Sequence, residues 1–340
     1  MRAPWAKVWN HERARLLKRW SVCVAAAVLG TGLLAAGVEE ILERKAAARL
    51  TAGETFANVN GARIRYLSLG KQHAGKTIVL LPGLGSNIEQ MRYVQPRLAA
   101  KVPTLSYDRA GYGFSTGSNA HTADAQAAEL MALLETLEVA GPVVLVGYSS
   151  SALLARVFAG RYPTRTAGVF LVEPDLPEFD EQVPGQQGPR RIYARWVFNE
   201  LFASTLGLSR LFGEHGAHAG GPRSEIDERE EESLQRRRHF WALAREVYEL
   251  PTSFEQAKQA PVPSEPLVIL STEQSNPLAA RLDELYAELA HRSPRGKVIK
   301  LPNYDHGRLF APGPVLDAIA WGVEEIATGT PPPRSGVEHH

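Results

Sequence analysis

The amino-acid sequence predicts an α/β architecture: a mostly parallel central sheet flanked by helices, interrupted by an inserted helical segment and preceded by an apolar helix of membrane-spanning length. Three observations predict it. From Thr55 to Ala327, short apolar runs alternate with segments of helical periodicity, the pattern of strands buried on both faces and the helices that cover them. The alternation stops between Pro174 and Pro263, where only helical spacing is left. Finally, Trp20 to Val38 carries no charge. Of the 340 residues, 44% are hydrophobic and 22% charged, a globular profile. The net charge of +1 gives no footing for nucleic-acid binding.

The N-terminal segment, residues 1–50, comes first. As a helix, Trp20–Val38 rises about 28 Å, close to the hydrocarbon thickness of a bilayer. Arg2, Lys7, Arg13, Arg15, Lys18 and Arg19 precede it against a single acid, Glu12. By the positive-inside rule the N-terminus stays in the cytoplasm and the rest is exported. A cleaved signal peptide, with Ala35-Ala36-Gly37 as its site, competes with an uncleaved anchor. The length of the run and the helix formers continuing from Glu39 to Leu50 favour the anchor, with a stalk leaving the membrane. The expected location is therefore a single-pass membrane protein with its main domain on the extracytoplasmic side, or a secreted or periplasmic protein if the segment is cleaved. The one cysteine, Cys23, forms no internal disulfide and no redox pair, and its apolar setting predicts a buried small side chain.

The main domain follows in two parts, residues 51–173 and 264–327. Ala62–Leu69 reads as a strand after an Asn60-Gly61 turn. Thr77–Leu81, Pro103–Tyr107, Val143–Val146, Val169–Val172, Leu267–Leu270 and Val298–Leu301 read as further strands. Ala120–Leu137, Ser151–Tyr162, Leu278–His291 and Val315–Ile326 read as helices, the last with Val315, Ile319, Val323 and Ile326 on one face. Between the two parts, residues 174–263 form the helical insertion, with Tyr193, Val197 and Leu201, and Phe240, Leu243 and Val247, at helical spacing. Glu228–Glu232 followed by Arg236–Arg238 reads as a solvated helix face, with Glu232 and Arg236 paired at i,i+4. His215 and His218 lie in a glycine-rich stretch with no third ligand at helical spacing, so neither a metal nor a cofactor is expected. Residues 328–340, with Pro331-Pro332-Pro333, read as a disordered tail.

Four motifs carry chemistry. Val143–Tyr162 runs from an apolar strand through Gly147-Tyr148-Ser149-Ser150-Ser151 into a helix, a nucleophile elbow in strand–turn–helix context; Ser151 stands where the pattern has its second glycine. Leu80–Asn87 (LLPGLGSN) follows a strand and can offer the backbone N–H of Leu84 to a reacting oxygen, paired with that of Ser150. Tyr107–Ser115 (YDRAGYGFS) contains a Gly-x-Gly, but no acidic residue follows at the distance a dinucleotide site needs. Asp108 within it reads as a structural partner of nearby backbone or of Arg109. Leu301–His306 (LPNYDH) places a histidine after the last strand.

Together LPGLG, YDRAGYGFS, GYSSS and NYDHG resemble the α/β-hydrolase superfamily over about Thr55 to Ala327, with Pro82-Gly83 where His-Gly is common. The resemblance implies that fold, Ser149 as nucleophile and His306 as base, with an oxyanion hole from Leu84 and Ser150. The acid has three candidates. Glu173, in Leu171-Val172-Glu173-Pro174-Asp175, matches relatives that carry it after the sixth strand. Asp175 is its neighbour, and Glu273 lies in the segment after the seventh strand, where the position matching other relatives' acid is Ser275. Glu173 is preferred. A serine at the elbow argues against the dehalogenase and epoxide hydrolase chemistry of aspartate-bearing relatives. The expectation is a carboxylesterase or lipase-like serine hydrolase acting on a small-molecule ester; the insertion contributes Trp196, Phe198, Phe202, Phe240 and Trp241, of which some pack within it, and a cap facing the site favours an apolar acyl or alcohol group. A carbon–carbon bond hydrolase and a non-catalytic membrane-tethered binding module are the alternatives.

Overall fold

The structure, a computed structural model, describes residues 5–73, 75–117, 120–183, 187–209, 225–272, 278–302, 306, 309–310 and 313–329. Helix α1 (Trp5–Leu50) leads into strands β1 (Thr55–Val59), β2 (Ala62–Leu69) and β3 (Ile78–Leu81), helix α2 (Val94–Ala99) and strand β4 (Thr104–Tyr107). Then come α3 (Ala123–Thr136), β5 (Val143–Tyr148), α4 (Ser151–Arg161) and β6 (Thr166–Val172). Among the described residues four helices follow: α5 (Pro177–Gln182), α6 (Gln187–Thr205), α7 (Glu225–Leu234) and α8 (Arg237–Gln259). Strand β7 (Leu267–Thr272), α9 (Ala279–His291), β8 (Lys297–Leu301) and α10 (Pro314–Thr328) close the chain.

The eight strands form one sheet in the order β1-β2-β4-β3-β5-β6-β7-β8. The pairs β1/β2 and β2/β4 are antiparallel and the others parallel. Both faces are buried, which is why these strands read as unbroken apolar runs. Val79, Leu81, Leu145, Val169 and Leu171 pack under α3, α4 and α9 on one face. Ile78, Leu80, Val144, Val146, Phe170 and Val172 pack against α2 and α10 on the other. On α10, Val315, Ile319, Val323 and Ile326 are all buried, as their shared face requires. Strand β1 and helix α2 had no counterpart in the sequence reading. Asn60 and Gly61 both take positive φ, 49° and 81°, the backbone of a two-residue hairpin turn.

Three expectations change. Cys23 is exposed, not buried, because among the described residues nothing packs over that part of α1. The charged run is not a solvated face of one helix. The chain breaks at Arg236, whose backbone is extended (φ −71°, ψ 135°); Arg236 is buried and donates to the Gly113 carbonyl at 3.0 Å. Around the break the charges hold α1: Arg49 pairs with Glu228 at 2.7 Å, and Arg237 with Glu40 at 2.7 Å. Glu43 accepts from the Arg237 backbone N–H at the start of α8, the end of a helix that favours an anion. Lastly, Asp108 pairs with Arg65 rather than Arg109. The backbone part of that expectation holds, since Asp108 accepts from the N–H groups of Ile88 and Phe114, and Gly113 is required because any Cβ there would strike its carboxylate.

Candidate active site

The site forms at the carboxyl ends of the parallel strands, where helices begin and backbone N–H groups are left without strand partners. Ser149 follows β5 directly and has φ +52°, a left-handed conformation costing a non-glycine residue on the order of 1–3 kcal/mol. Its neighbours hold it there. The Ser149 N–H donates to Val172 O at 3.0 Å, and its carbonyl accepts from the N–H groups of Ala152 and Asp175 at 3.0 and 3.2 Å. Gly147 is needed because a Cβ would lie 3.0 Å from Ser151 O and 3.2 Å from the Ala152 backbone.

Ser151 explains its own departure from the glycine pattern. Its side chain is buried and donates to the Pro82 carbonyl. It also accepts from Arg109 at 3.1 Å. Arg109 in turn donates to Pro82 O at 2.6 Å and Gly83 O at 3.2 Å, and pairs with Glu246 of α8 at 3.0 Å. Tyr112 also donates to Glu246. One buried guanidinium thus ties the LPGLG loop, the elbow and the inserted helix together. Sequence reasoning missed this cluster, since Glu246 lies far along the chain in a segment with no motif.

Glu173 follows β6 directly, also with positive φ (+43°), and its N–H donates to Leu270 O of β7 at 2.8 Å. One carboxylate oxygen accepts from the N–H of Thr272 at 2.9 Å and from its hydroxyl. The other lies 2.7 Å from His306 Nδ1. Burial alone would raise the Glu173 carboxyl, but the hydrogen bonds from His306 and Thr272 outweigh it and hold the group below the usual carboxylate range. His306 Nε2 lies 3.2 Å from Ser149 Oγ. A carboxylate on Nδ1 fixes the tautomer in which Nδ1 donates and Nε2 accepts from the serine hydroxyl. The Tyr148 hydroxyl donates to the His306 carbonyl at 2.5 Å, and its ring lies against the imidazole with centroids 4.9 Å apart.

Of the two carboxylates weighed from the sequence that lie among the described residues, Glu173 is the one against His306. Asp175 instead lines a cavity of about 690 Å³ beside the elbow, together with Leu84, Tyr193, Phe198, Tyr248 and Leu250 among others. Glu273, Ser275, His215, His218 and residues 330–340 lie outside the described residues. No group of three or more potential metal ligands occurs among the described residues. The N–H groups of Leu84 and Ser150 have no hydrogen-bond partner among the described residues.

Residues 78–318 match the Alpha/beta hydrolase family, and the chain belongs to that family. Solved structures agree in fold. A loop variant of haloalkane dehalogenase DbeA from Bradyrhizobium elkanii aligns over 80% of this chain and 97% of its own, with TM-score 0.62 and 19% identity. An esterase from Thermogutta terrifontis covers 82% of this chain and 100% of its own, at TM-score 0.56 and 18% identity. The enol-lactonase from Burkholderia xenovorans covers 80% and 99%, at TM-score 0.53 and 19% identity. In sequence, YqjL of Bacillus subtilis is 33% identical over 107 residues, which is 31% of this chain and 42% of that protein. The dihydrolipoyllysine-residue acetyltransferase component of the acetoin cleaving system of Pseudomonas putida is 29% identical over 117 residues, 34% of this chain and 31% of that protein. The chain therefore spans less than half the length of these two curated relatives. Its family is one of hydrolases.

Proposed function

We propose that the protein is a serine hydrolase that cleaves a carboxylic ester through an acyl-enzyme. The observation that carries this reading is the unbroken row from Glu173 through His306 to Ser149, with contacts of 2.7 and 3.2 Å. In this reading His306 Nε2 takes the proton of Ser149 as Oγ attacks the carbonyl carbon. Glu173 orients the imidazole and stabilises its charge. The unpartnered N–H groups of Leu84 and Ser150 receive the developing oxyanion. The protonated imidazole then passes its proton to the leaving alcohol, and water, deprotonated by the same nitrogen, releases the acid. The haloalkane dehalogenases share the fold, but aspartate-based displacement does not suit a chain whose elbow carries serine. Leu84, Tyr193, Phe198, Val247, Tyr248 and Leu250 along the cavity favour an apolar acyl or alcohol group. Residues 174–263 act as the cap over the site.

Helix α1 has 46 residues, and the segment from Lys18 onward is long and apolar enough to span a membrane or to serve as a signal sequence. We read it as an uncleaved single-pass anchor, because the helix runs without a break into residues that pair with α7 and α8. The basic flank places the hydrolase domain on the extracytoplasmic side.

Labelling with a fluorophosphonate probe tests the chemistry. The wild type and Ser150→Ala should label and hydrolyse nitrophenyl esters, and Ser149→Ala should do neither while melting at an unchanged temperature. Labelling that survives Ser149→Ala would sink the proposal.

A further inference from the structure

Among the described residues, the core and the chemistry leave the apolar outer face of α6 unexplained. Ile192, Trp196, Phe198 and Phe202 are 72%, 47%, 56% and 68% exposed, whereas Val197 on the opposite side is fully buried. So many large apolar groups on one helix face mark a surface meant to be covered.

What covers it follows from where α6 ends. In the turn after the helix, Leu206 Cδ2 lies 3.8 Å from the place a Cβ on Gly32 would take, and Gly207 abuts the Glu39 carboxylate. Gly32 lies inside the uncharged stretch of α1, and Glu39 is the first charge beyond it. From Gly32 to Val38 the helix rises about 9 Å. An interfacial helix sinks its apolar face about 5–10 Å into the boundary between headgroups and acyl chains. The ion pairs of Glu40 and Arg49 with the inserted helices fix this offset, so a bilayer around Trp20–Val38 also reaches the end of α6.

We propose that α6 lies on the phospholipid bilayer that holds α1, with Ile192, Trp196 and Phe202 in the headgroup–acyl boundary. Arg195 on the same face extends its guanidinium to the headgroups. Phe198 belongs both to this face and to the cavity wall, so the cavity opens to lipid. The substrate class is then an amphiphilic ester with an acyl chain, drawn from the membrane rather than from water. This inference rests on the reading of α1 as an anchor and of the serine row as an esterase.

The test uses the full chain with Cys23→Ser, reconstituted in phosphatidylcholine–phosphatidylglycerol vesicles with and without doxyl-labelled lipid. An environment-sensitive fluorophore is attached in turn at Leu29→Cys, Phe202→Cys and Lys101→Cys. The first two labels should be quenched by doxyl lipid and the third should not. Quenching at Leu29→Cys without quenching at Phe202→Cys overturns the proposal and leaves the anchor standing. Quenching at neither removes the anchor and the proposal with it. In parallel, Ile192→Ser should slow hydrolysis of a long-chain ester embedded in the vesicles by about tenfold, in line with one large apolar anchor lost from an apolar boundary. Its rate on a dissolved short-chain ester should not change. Equal effects on the two substrates, or none on either, overturn delivery from lipid.

Discussion

Ser149 and Glu173 share a feature that sequence patterns do not display: both take positive φ, although neither is glycine. Each sits one residue past a parallel strand, where its N–H donates to the carbonyl of a residue on the adjacent strand. This sharp turn ends each strand's run and brings the two side chains to His306. Glu173→Gln should therefore lower kcat on a nitrophenyl ester by about three to four orders of magnitude, because an amide can hold the imidazole in the wrong tautomer. The melting temperature serves as the control for folding. Ser151→Ala is the opposite case. Its hydroxyl holds the Pro82 carbonyl and accepts from Arg109 but does not touch the reacting atoms. The expected result is a stability loss of about 1 kcal/mol in urea titration with kcat nearly unchanged. The elbow and His306 were legible because their residue types follow strands in a fixed order. Thr272, which braces Glu173, was not, because only the β6/β7 pairing brings it there.

At the scale of elements, α8 is the helix that joins the insertion to the site. Glu246 on its buried face meets Arg109 and Tyr112. Removing the carboxylate strands a buried guanidinium, so Glu246→Ala should cost about 3–5 kcal/mol, measured as a fall in denaturant midpoint at constant slope. Glu246→Gln should recover part of the loss, since the amide oxygen can still accept. The charged run at the start of α8 shows why local reading failed there. Periodicity saw Glu232 and Arg236 as neighbours on one helix. The chain instead turns at Arg236, which leaves for the Gly113 carbonyl and the face of Phe114. Both partners lie far away in sequence, and no local pattern encodes them.

For the whole molecule, pH and membrane attachment give two further expectations. His239 is fully buried beside Tyr112, and burial, with Arg109 and Arg236 nearby, pushes its pKa down to about 3. The unfolded imidazole titrates near 6.5. Between those values the unfolded chain holds the proton and the folded one does not, so stability falls as the pH drops through that window. The slope from this group is at most about 1.4 kcal/mol per pH unit. Urea midpoints at pH 7, 5 and 4 should drop less in His239→Gln than in the wild type; parallel curves would show that His239 is not the cause. The anchor predicts that the full-length protein stays with membranes through a carbonate or high-salt wash, because salt screens surface charge but not apolar transfer. Mature protein starting near Val38 in a soluble fraction would instead identify a cleaved signal peptide.

The sequence by itself determined the family and the alternation of strands and helices, as well as the apolar N-terminal helix. These depend on periodicity and on motifs read within a few residues, where backbone geometry and burial act locally. It also narrowed the acid to three residues and preferred Glu173 for its place just after the sixth strand. Tertiary structure brings Glu173 against His306, since a carboxylate reaches an imidazole 133 positions away only once β6 and β8 flank β7 in one sheet. It likewise decided that Arg65, on an antiparallel strand, is buried with Glu54, Glu89 and Asp108. It decided, too, that Ile192, Trp196, Phe198 and Phe202 of α6 point outward. A side chain's identity is local, but what it touches depends on how distant segments pack.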